Sequence, residues 1–118
     1  MVCPILACEN PYEVSDIFKS AGWRIDFSQS IESGDPLVGI SLFGNSILFG
    51  VTEGYVKNDD MKYLGCGVVI YITVPHENIH EIYSNHKAFN PTNLQVQPWG
   101  DLAFEVTIGE YRFMIATS

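Results

Sequence analysis

The chain has 118 residues, of which 47% are hydrophobic, including seven Phe, six Tyr and two Trp. This length and composition predict one folded domain with a substantial core and exclude a disordered or fibrous protein. Fourteen acidic residues against six basic ones give a net charge of −8, which repels phosphate backbones, argues against a nucleic-acid partner and favours a cationic ligand.

The three cysteines, Cys3, Cys8 and Cys66, are odd in number and form no CxxC pair. This pattern indicates a reducing compartment rather than a disulfide framework. The N-terminus has no basic segment before an apolar run, and the chain has no uninterrupted apolar stretch of the ~18 residues that a membrane span needs. We therefore expect a soluble, cytoplasmic protein that has no membrane partner.

The first half of the chain predicts the order β-α-β-β-β. A strand over Val2 to Cys8 precedes a helix that has Asn10 as its cap and Pro11 at its first position, and Gly22 ends this helix. Three strand-like runs follow, separated by turn residues. They are Trp23 to Gln29, Leu37 to Phe43 and Ile47 to Thr52.

The second half repeats this order after a polar segment, 55–65, that is predicted to be a linker. The repeat consists of a strand over Cys66 to Val74, a helix from Pro75 to about His86, and three strands at about 93–98, 101–107 and 111–117. Two copies of one unit predict a single domain built from modules 1–54 and 66–118. Because one helix leaves a face of each sheet uncovered, we expect the units to pair around a shared concave surface that carries the function.

One segment, His76-Glu77-Asn78-Ile79-His80, matches the zinc metalloprotease motif H-E-x-x-H. The extended form of that motif needs Gly where this chain has Tyr83, and His76 follows Pro75 directly, at the first turn of the helix. The favoured interpretation is a solvated helix face. The chain has no G-x-S-x-G segment and no glycine-rich phosphate-binding motif that would give another catalytic site.

The segment Gln97-Pro98-Trp99-Gly100 holds a large aromatic side chain at the mouth of a strand, because Pro98 lacks a ladder donor and Gly100 lets the chain kink. Trp99 is therefore predicted to meet a ligand, and the alternative is that its indole closes the core at a sheet corner. Because strand residues alternate faces, about half of the other strand aromatics are expected to line a concave sheet and offer stacking surface, while the rest pack under the helices. Carboxylates close to strand ends or loops offer negative charge to a cation. The aromatics are Phe27, Phe43, Phe49, Tyr71, Phe104 and Phe113, and the carboxylates are Asp26, Glu32, Asp35, Asp59 and Asp60.

Several short segments carry a resemblance that covers most of the chain. They are Cys3-Pro4-Ile5-Leu6, Phe18 with Ala21-Gly22-Trp23, Asp26-Phe27, Leu48-Phe49 and Gln97-Pro98-Trp99-Gly100. With the repeated unit, they make the chain similar to the vicinal oxygen chelate (glyoxalase/bleomycin resistance/dioxygenase) superfamily, and within it to the bleomycin-resistance (bleomycin-binding) proteins. The resemblance implies an α+β fold of two paired β-α-β-β-β modules that form a concave sheet.

The resemblance also implies where a metal would bind. Enzymes of this superfamily bind a metal through His, Glu or Gln on the first and last strands of each unit. By register, those positions here are Cys3, Phe49, Val69 and Phe113. Three of the four cannot ligate a metal, so we expect no catalytic residues, no metal and no cofactor. The alternative is a metal-dependent lyase or dioxygenase of the same fold that uses other ligands, such as Cys3, His76 and His80.

Bleomycin-binding members of the superfamily are homodimers with an exchanged N-terminal strand, and they hold cationic drug molecules in grooves between subunits without altering them. The resemblance implies the same activity here, namely sequestration of a cationic, partly aromatic antibiotic of the bleomycin type by a homodimer. Phe27 and Trp99 match aromatic ligand contacts of the family, and Tyr71 lies near a third. The predicted ligand-binding residues are Phe27, Trp99, Tyr71, Phe49, Phe113, Glu32 and Asp60.

Two positions depart from the family pattern. The second aromatic residue that follows Phe27 in the family falls here at Glu32, and the turn before the last strand is shortened to Ile108-Gly109-Glu110. Both departures concern the identity of the ligand rather than the fold. A further alternative is a dimeric interaction module whose cavity has been filled.

Overall fold

The computed structural model describes residues 2–51 and 56–117. The chain divides into two compact units, Met1–Leu64 and Gly65–Ser118. Residues 52–55, which include the end of the predicted fourth strand and the start of the predicted linker, lie outside the described residues. The predicted pairing of the two units around a shared surface stays a prediction.

The first unit contains one helix and four strands. Strand β1 (Ile5–Cys8) precedes helix α1 (Pro11–Ser20), and strands β2 (Arg24–Gln29), β3 (Leu37–Leu42) and β4 (Asn45–Val51) follow. The strand order is β1-β4-β3-β2, in which β1 runs parallel to β4 and the other pairs are antiparallel. The predicted helix cap is confirmed, because the Asn10 Oδ1 atom accepts the backbone N–H groups of Tyr12 at 3.0 Å and Glu13 at 3.2 Å.

The second unit repeats this topology. Strand β5 (Val69–Val74) precedes helix α2 (Ile79–Asn85), and strands β6 (Gln95–Val96), β7 (Leu102–Ile108) and β8 (Tyr111–Thr117) follow, in the order β5-β8-β7-β6. The predicted α+β fold with two β-α-β-β-β units is therefore confirmed.

Several predicted elements differ in extent. The second helix is shorter than predicted, because His76–Asn78 forms a 3₁₀ turn before the α-helix begins. Strand β6 has two residues, since the chain turns at Pro98, which has no N–H group for the ladder. The polar segment predicted as a linker contains a 3₁₀ helix, Asn58–Tyr63.

In each unit, the helix packs on one face of the sheet and forms the core there. Phe18 of α1 is fully buried, with its ring centroid 5.2 Å from that of Phe49 and 5.1 Å from that of Trp23. In the second unit, the ring centroid of Phe104 lies 5.1 Å from that of Tyr83. Because successive side chains along a strand point to opposite faces of the sheet, these contacts show which strand residues lie on the helix-covered face and which lie on the other face.

His86 is a polar side chain within this second core. It is fully buried, and its ring centroid lies 5.9 Å from that of Phe104. Its Nδ1 atom lies 2.7 Å from the carbonyl oxygen of Ile82. Burial lowers the pKa of His86 from its ordinary value, because the surrounding apolar groups disfavour the charged ring.

The other face of each sheet, turned away from the unit's own helix, is called the open face below. In the first unit it carries Ile5, Ala7, Phe27, Leu37, Gly39, Ser41, Leu48 and Gly50. In the second unit it carries Val69, Tyr71, Thr73, Ala103, Glu105, Thr107, Arg112, Met114 and Ala116. Large apolar side chains on these faces are exposed, among them Ile5, Phe27, Val69 and Tyr71.

The alternation of core and open-face residues predicts a large difference between two aromatic substitutions in the second unit. Phe113→Ala should lower the free energy of unfolding by about 3–5 kcal/mol, since it removes a fully buried ring and leaves a cavity. Tyr71→Ala should cost about 1 kcal/mol or less, because that ring is already half exposed. Urea denaturation of both variants measures the difference, and equal losses would contradict the assignment of faces.

Candidate functional site

Phe27 is an exposed aromatic side chain on the open face of the first unit. The register between β2 and β3 shifts between Ile25 and Phe27, which brings Phe27 opposite Gly39. Its ring lies against the side of Gly39 on which a Cβ atom would stand, and the residue remains 41% exposed. One part of the ring is thus supported by the sheet, while another part is available to a ligand.

The surface next to Phe27 is apolar. Across the sheet, Phe27, Gly39, Leu48 and Ile5 form one row of paired positions over all four strands. A cavity of about 230 Å³ adjoins this row and is lined by Ile5, Ala7, Gly50 and Val51. Small and hydrocarbon side chains of this kind suit the apolar part of a ligand rather than its charged groups.

Two charged side chains of the first unit, Arg24 and Asp26, lie on β2 before Phe27. The Asp26 carboxylate accepts the Nε–H group of Arg24 at 2.6 Å and the hydroxyl of Ser41 at 3.1 Å. Arg24 and Ser41 also line a cavity of about 260 Å³, which Phe43 closes on one side. Because Asp26 is already paired with Arg24, it offers little free negative charge to a cation.

On the open face of the second unit, Tyr71, Met114 and Glu105 form a row across β5, β8 and β7. Tyr71 is 49% exposed. The Glu105 carboxylate lies 3.4 Å from the Arg112 guanidinium. These two groups help to line a further cavity of about 260 Å³, together with Phe89, Asn90, Thr92, Val106 and Thr107. This face therefore combines an aromatic ring, a thioether and a carboxylate.

Trp99 lies in the tight turn between β6 and β7. The Gln97 N–H group donates to the Asp101 carbonyl and the Gly100 N–H group to the Gln97 carbonyl, each at 2.8 Å. Gly100 has φ +100°, a conformation that side chains disfavour. Trp99 is 55% exposed, so the alternative that it closes the core is wrong. Trp23, only 2% exposed, is the tryptophan that fills a core.

Two predicted ligand contacts, Phe49 and Phe113, are core residues. Both are fully buried, and in the sheet registers they lie on the helix-covered faces. The prediction that they contact a ligand needs correction, because neither ring has surface to offer. The error is one residue in each strand, since the neighbouring Leu48 and Met114 lie on the open faces.

The remaining predicted residues, Glu32 and Asp60, are exposed. They lie in the 3₁₀ helices Ile31–Ser33 and Asn58–Tyr63. The sequence reasoning overlooked Gly39, Met114, Glu105 and Arg112. Finding the last three requires the register that pairs Tyr71 with Met114 and Met114 with Glu105, and the sequence pattern does not give this register.

The metal positions implied by the resemblance can be re-examined with the observed registers. On the open face of the first unit, the first strand carries Ile5 and Ala7, and the last strand carries Ser46, Leu48 and Gly50. On the open face of the second unit, the first strand carries Val69, Tyr71 and Thr73, and the last strand carries Arg112, Met114 and Ala116. None of these supplies the imidazole or carboxylate that divalent metals prefer, so these positions do not fit a metal. Within 2–51 and 56–117, no group of three His, Cys, Asp or Glu side chains is placed to hold one.

The H-E-x-x-H residues His76, Glu77 and His80 are exposed. His76 and Glu77 belong to the 3₁₀ turn, whereas His80 belongs to α2. Their exposure agrees with the interpretation of a solvated helix face. Among the described residues, no helix is both long and apolar enough to span a membrane.

No family model matches the chain, and no curated protein matches it significantly. Solved structures do match, and one is a bleomycin-binding protein complexed with bleomycin, with a TM-score of 0.72 and 11% identity over 100% of this chain and 98% of that chain. The chain has the glyoxalase/bleomycin-resistance fold.

Two other structures of this fold are similar to the chain. A member of the glyoxalase/bleomycin resistance protein/dioxygenase superfamily from Sphaerobacter thermophilus DSM 20745 matches with a TM-score of 0.69 and 16% identity, over 100% of this chain and 97% of that chain. The fosfomycin resistance protein FosX from Mesorhizobium loti matches with a TM-score of 0.65 and 5% identity, over 100% and 91%. The predicted resemblance is thus confirmed for the fold.

The two tryptophans predict a simple spectroscopic result. Acrylamide should quench most of the emission of Trp99, because its indole is exposed, and little of the emission of Trp23, because its indole is buried. The Trp99→Phe variant should therefore lose the quenchable component and keep a blue-shifted emission. N-acetyltryptophanamide serves as the fully accessible control, and unchanged quenching in the variant would contradict the placement of Trp99.

Proposed function

We propose that this protein is a non-enzymatic homodimer that binds and sequesters a cationic, partly aromatic antibiotic of the bleomycin type, in a groove between its subunits. The observation that carries the proposal is the pair of half-exposed rings on the open faces, Phe27 and Tyr71. Covering exposed aromatic surface of this kind with a planar group lowers the free energy by about 25 cal/mol per Å² of apolar area removed from water. Trp99, which lies in the turn between β6 and β7, adds a third exposed ring.

The charge of the chain supports a cationic ligand. The net charge of −8 raises the local concentration of cations and speeds their association. Glu32 and Asp60 are exposed and contribute to this field. In this proposal, the aromatic rings supply most of the affinity, whereas the carboxylates select the sign of the ligand's charge.

Binding without chemistry is supported by the side chains of the open faces. The first and last strands present hydrocarbon, hydroxyl, thioether and guanidinium groups there, and these do not form a Lewis-acid site. The fold is also that of the fosfomycin resistance protein FosX, so the test of the proposal must separate binding from turnover.

Calorimetric titration with metal-free bleomycin tests the proposal. The wild-type protein should bind about two drug molecules per dimer, and Trp99→Ala should weaken binding tenfold or more, since loss of one stacking anchor costs on the order of 1–3 kcal/mol. Phe43→Ala is the matched control, because Phe43 is equally exposed, at 52%, but is absent from the proposed contacts. Equal affinity of Trp99→Ala and wild type would refute the assignment of Trp99.

The same samples distinguish a binder from an enzyme. Mass spectrometry should recover the drug unchanged after prolonged incubation, and sedimentation should give the mass of a dimer. Stoichiometric divalent metal in protein purified without chelators, together with consumption of the drug, would instead support a metal-dependent enzyme.

A further inference from the structure

Gly39 stands at a position where strands usually carry a side chain. It lies in β3, which pairs with β4 on one side and with β2 on the other. Glycine weakens the interior of a strand, because it contributes no side-chain packing and loses more backbone entropy on folding. Its φ is not among the positive values found at other glycines of the described chain, so the backbone conformation does not require glycine here.

The space next to Gly39 on the open face explains why this residue is a glycine. A Cβ atom built there would overlap with Cε1 of Phe27 and would lie 2.8 Å from Cδ1 and 2.9 Å from Cζ. All three are atoms of one ring, and none belongs to the backbone. Phe27 therefore occupies the volume that any other residue at position 39 would fill.

We propose that Gly39 is a positioning residue, which sets where the ring of Phe27 lies on the open face and so prepares that ring for ligand stacking. The part of the proposal that concerns the ligand rests on the function proposed above. A methyl group at position 39 displaces the ring of Phe27 from its position against the sheet. Because the ring can swing toward solvent, the sheet keeps its fold and the displaced ring loses its defined orientation.

A second glycine on the same face provides a matched control. Gly50 lies in β4, and a Cβ atom there would meet Ile5 Cγ2 at 3.6 Å and Leu37 Cδ1 at 3.7 Å, which are ordinary contact distances. Gly50→Ala adds the same methyl group to the same face of the same sheet without touching Phe27. In the ligand-free protein, any effect common to both variants therefore reflects alanine in a strand rather than the position of the ring.

A first experiment needs no ligand. In the wild-type NMR spectrum, an Hα signal of Gly39 should be shifted upfield by the ring current of Phe27, and Phe27→Leu should abolish this shift. In Gly39→Ala the signals of the Phe27 ring should move, whereas in Gly50→Ala they should not. Unshifted Gly39 Hα signals in the wild-type protein, or unmoved Phe27 signals in Gly39→Ala, would overturn the proposal.

A second experiment measures bleomycin binding in a double-mutant cycle. Gly39→Ala should weaken binding about tenfold, and it should have no further effect once Phe27 is replaced by Ala. If Gly39→Ala weakens binding equally with and without the ring, it acts through the sheet, and its role in positioning Phe27 for the ligand is refuted. If the wild-type protein does not bind bleomycin, the proposed function fails, while the NMR result decides the position of the ring independently.

Discussion

Successive side chains along each β-strand point to opposite faces of the sheet, and this alternation decides whether a residue packs in the core or lies on the open face. Each strand supplies the core with one set of residues and the open face with the other. Phe113 is fully buried on the helix-covered face, whereas the next residue, Met114, lies on the open face. A step of one residue therefore separates a side chain that stabilises the fold from one that can meet a ligand.

In each unit a single helix covers one face of the sheet, and the other face is the one proposed for binding. Because core packing is supplied by rings such as Phe18, Phe49 and Phe104, the open faces need not contribute large buried side chains. They carry instead a mixture of small residues and exposed rings, such as Gly39, Gly50 and Phe27 in the first unit. An apolar surface with exposed aromatic rings suits a planar ligand, and the acidic surface suits one that is positively charged.

The sequence predicted the topology well because the signals for element type and order are local. Asn10 and Pro11 begin the first helix, and the same order of elements recurs after the polar segment. Which tryptophan is exposed was harder to predict, since both Trp23 and Trp99 adjoin a glycine and a strand. The turn at Pro98 and Gly100 removes Trp99 from the ladder, whereas Trp23 packs against Phe18.

The assignment of faces could not be predicted reliably, because the extent of a strand does not show which of its two faces the helix covers. Strand β8 spans the predicted residues, Tyr111–Thr117, yet Phe113 lies on the opposite face to the predicted one, and a step of one residue is enough to change the face. The contact between Phe27 and Gly39 was also beyond local reasoning. It joins two strands and depends on the register shift that follows Ile25.

In the proposed function, a ligand is held on the open faces with no bond made or broken. The most direct test of this proposal is a titration of methyl-labelled protein with metal-free bleomycin, followed by NMR. The methyl signals of Met114 and Ile5, on the open faces, should shift in a saturable manner, and those of Ile115 and Ile47, on the helix-covered faces, should stay in place. Saturable shifts confined to Ile115 and Ile47, or no shifts at all, would contradict the proposal.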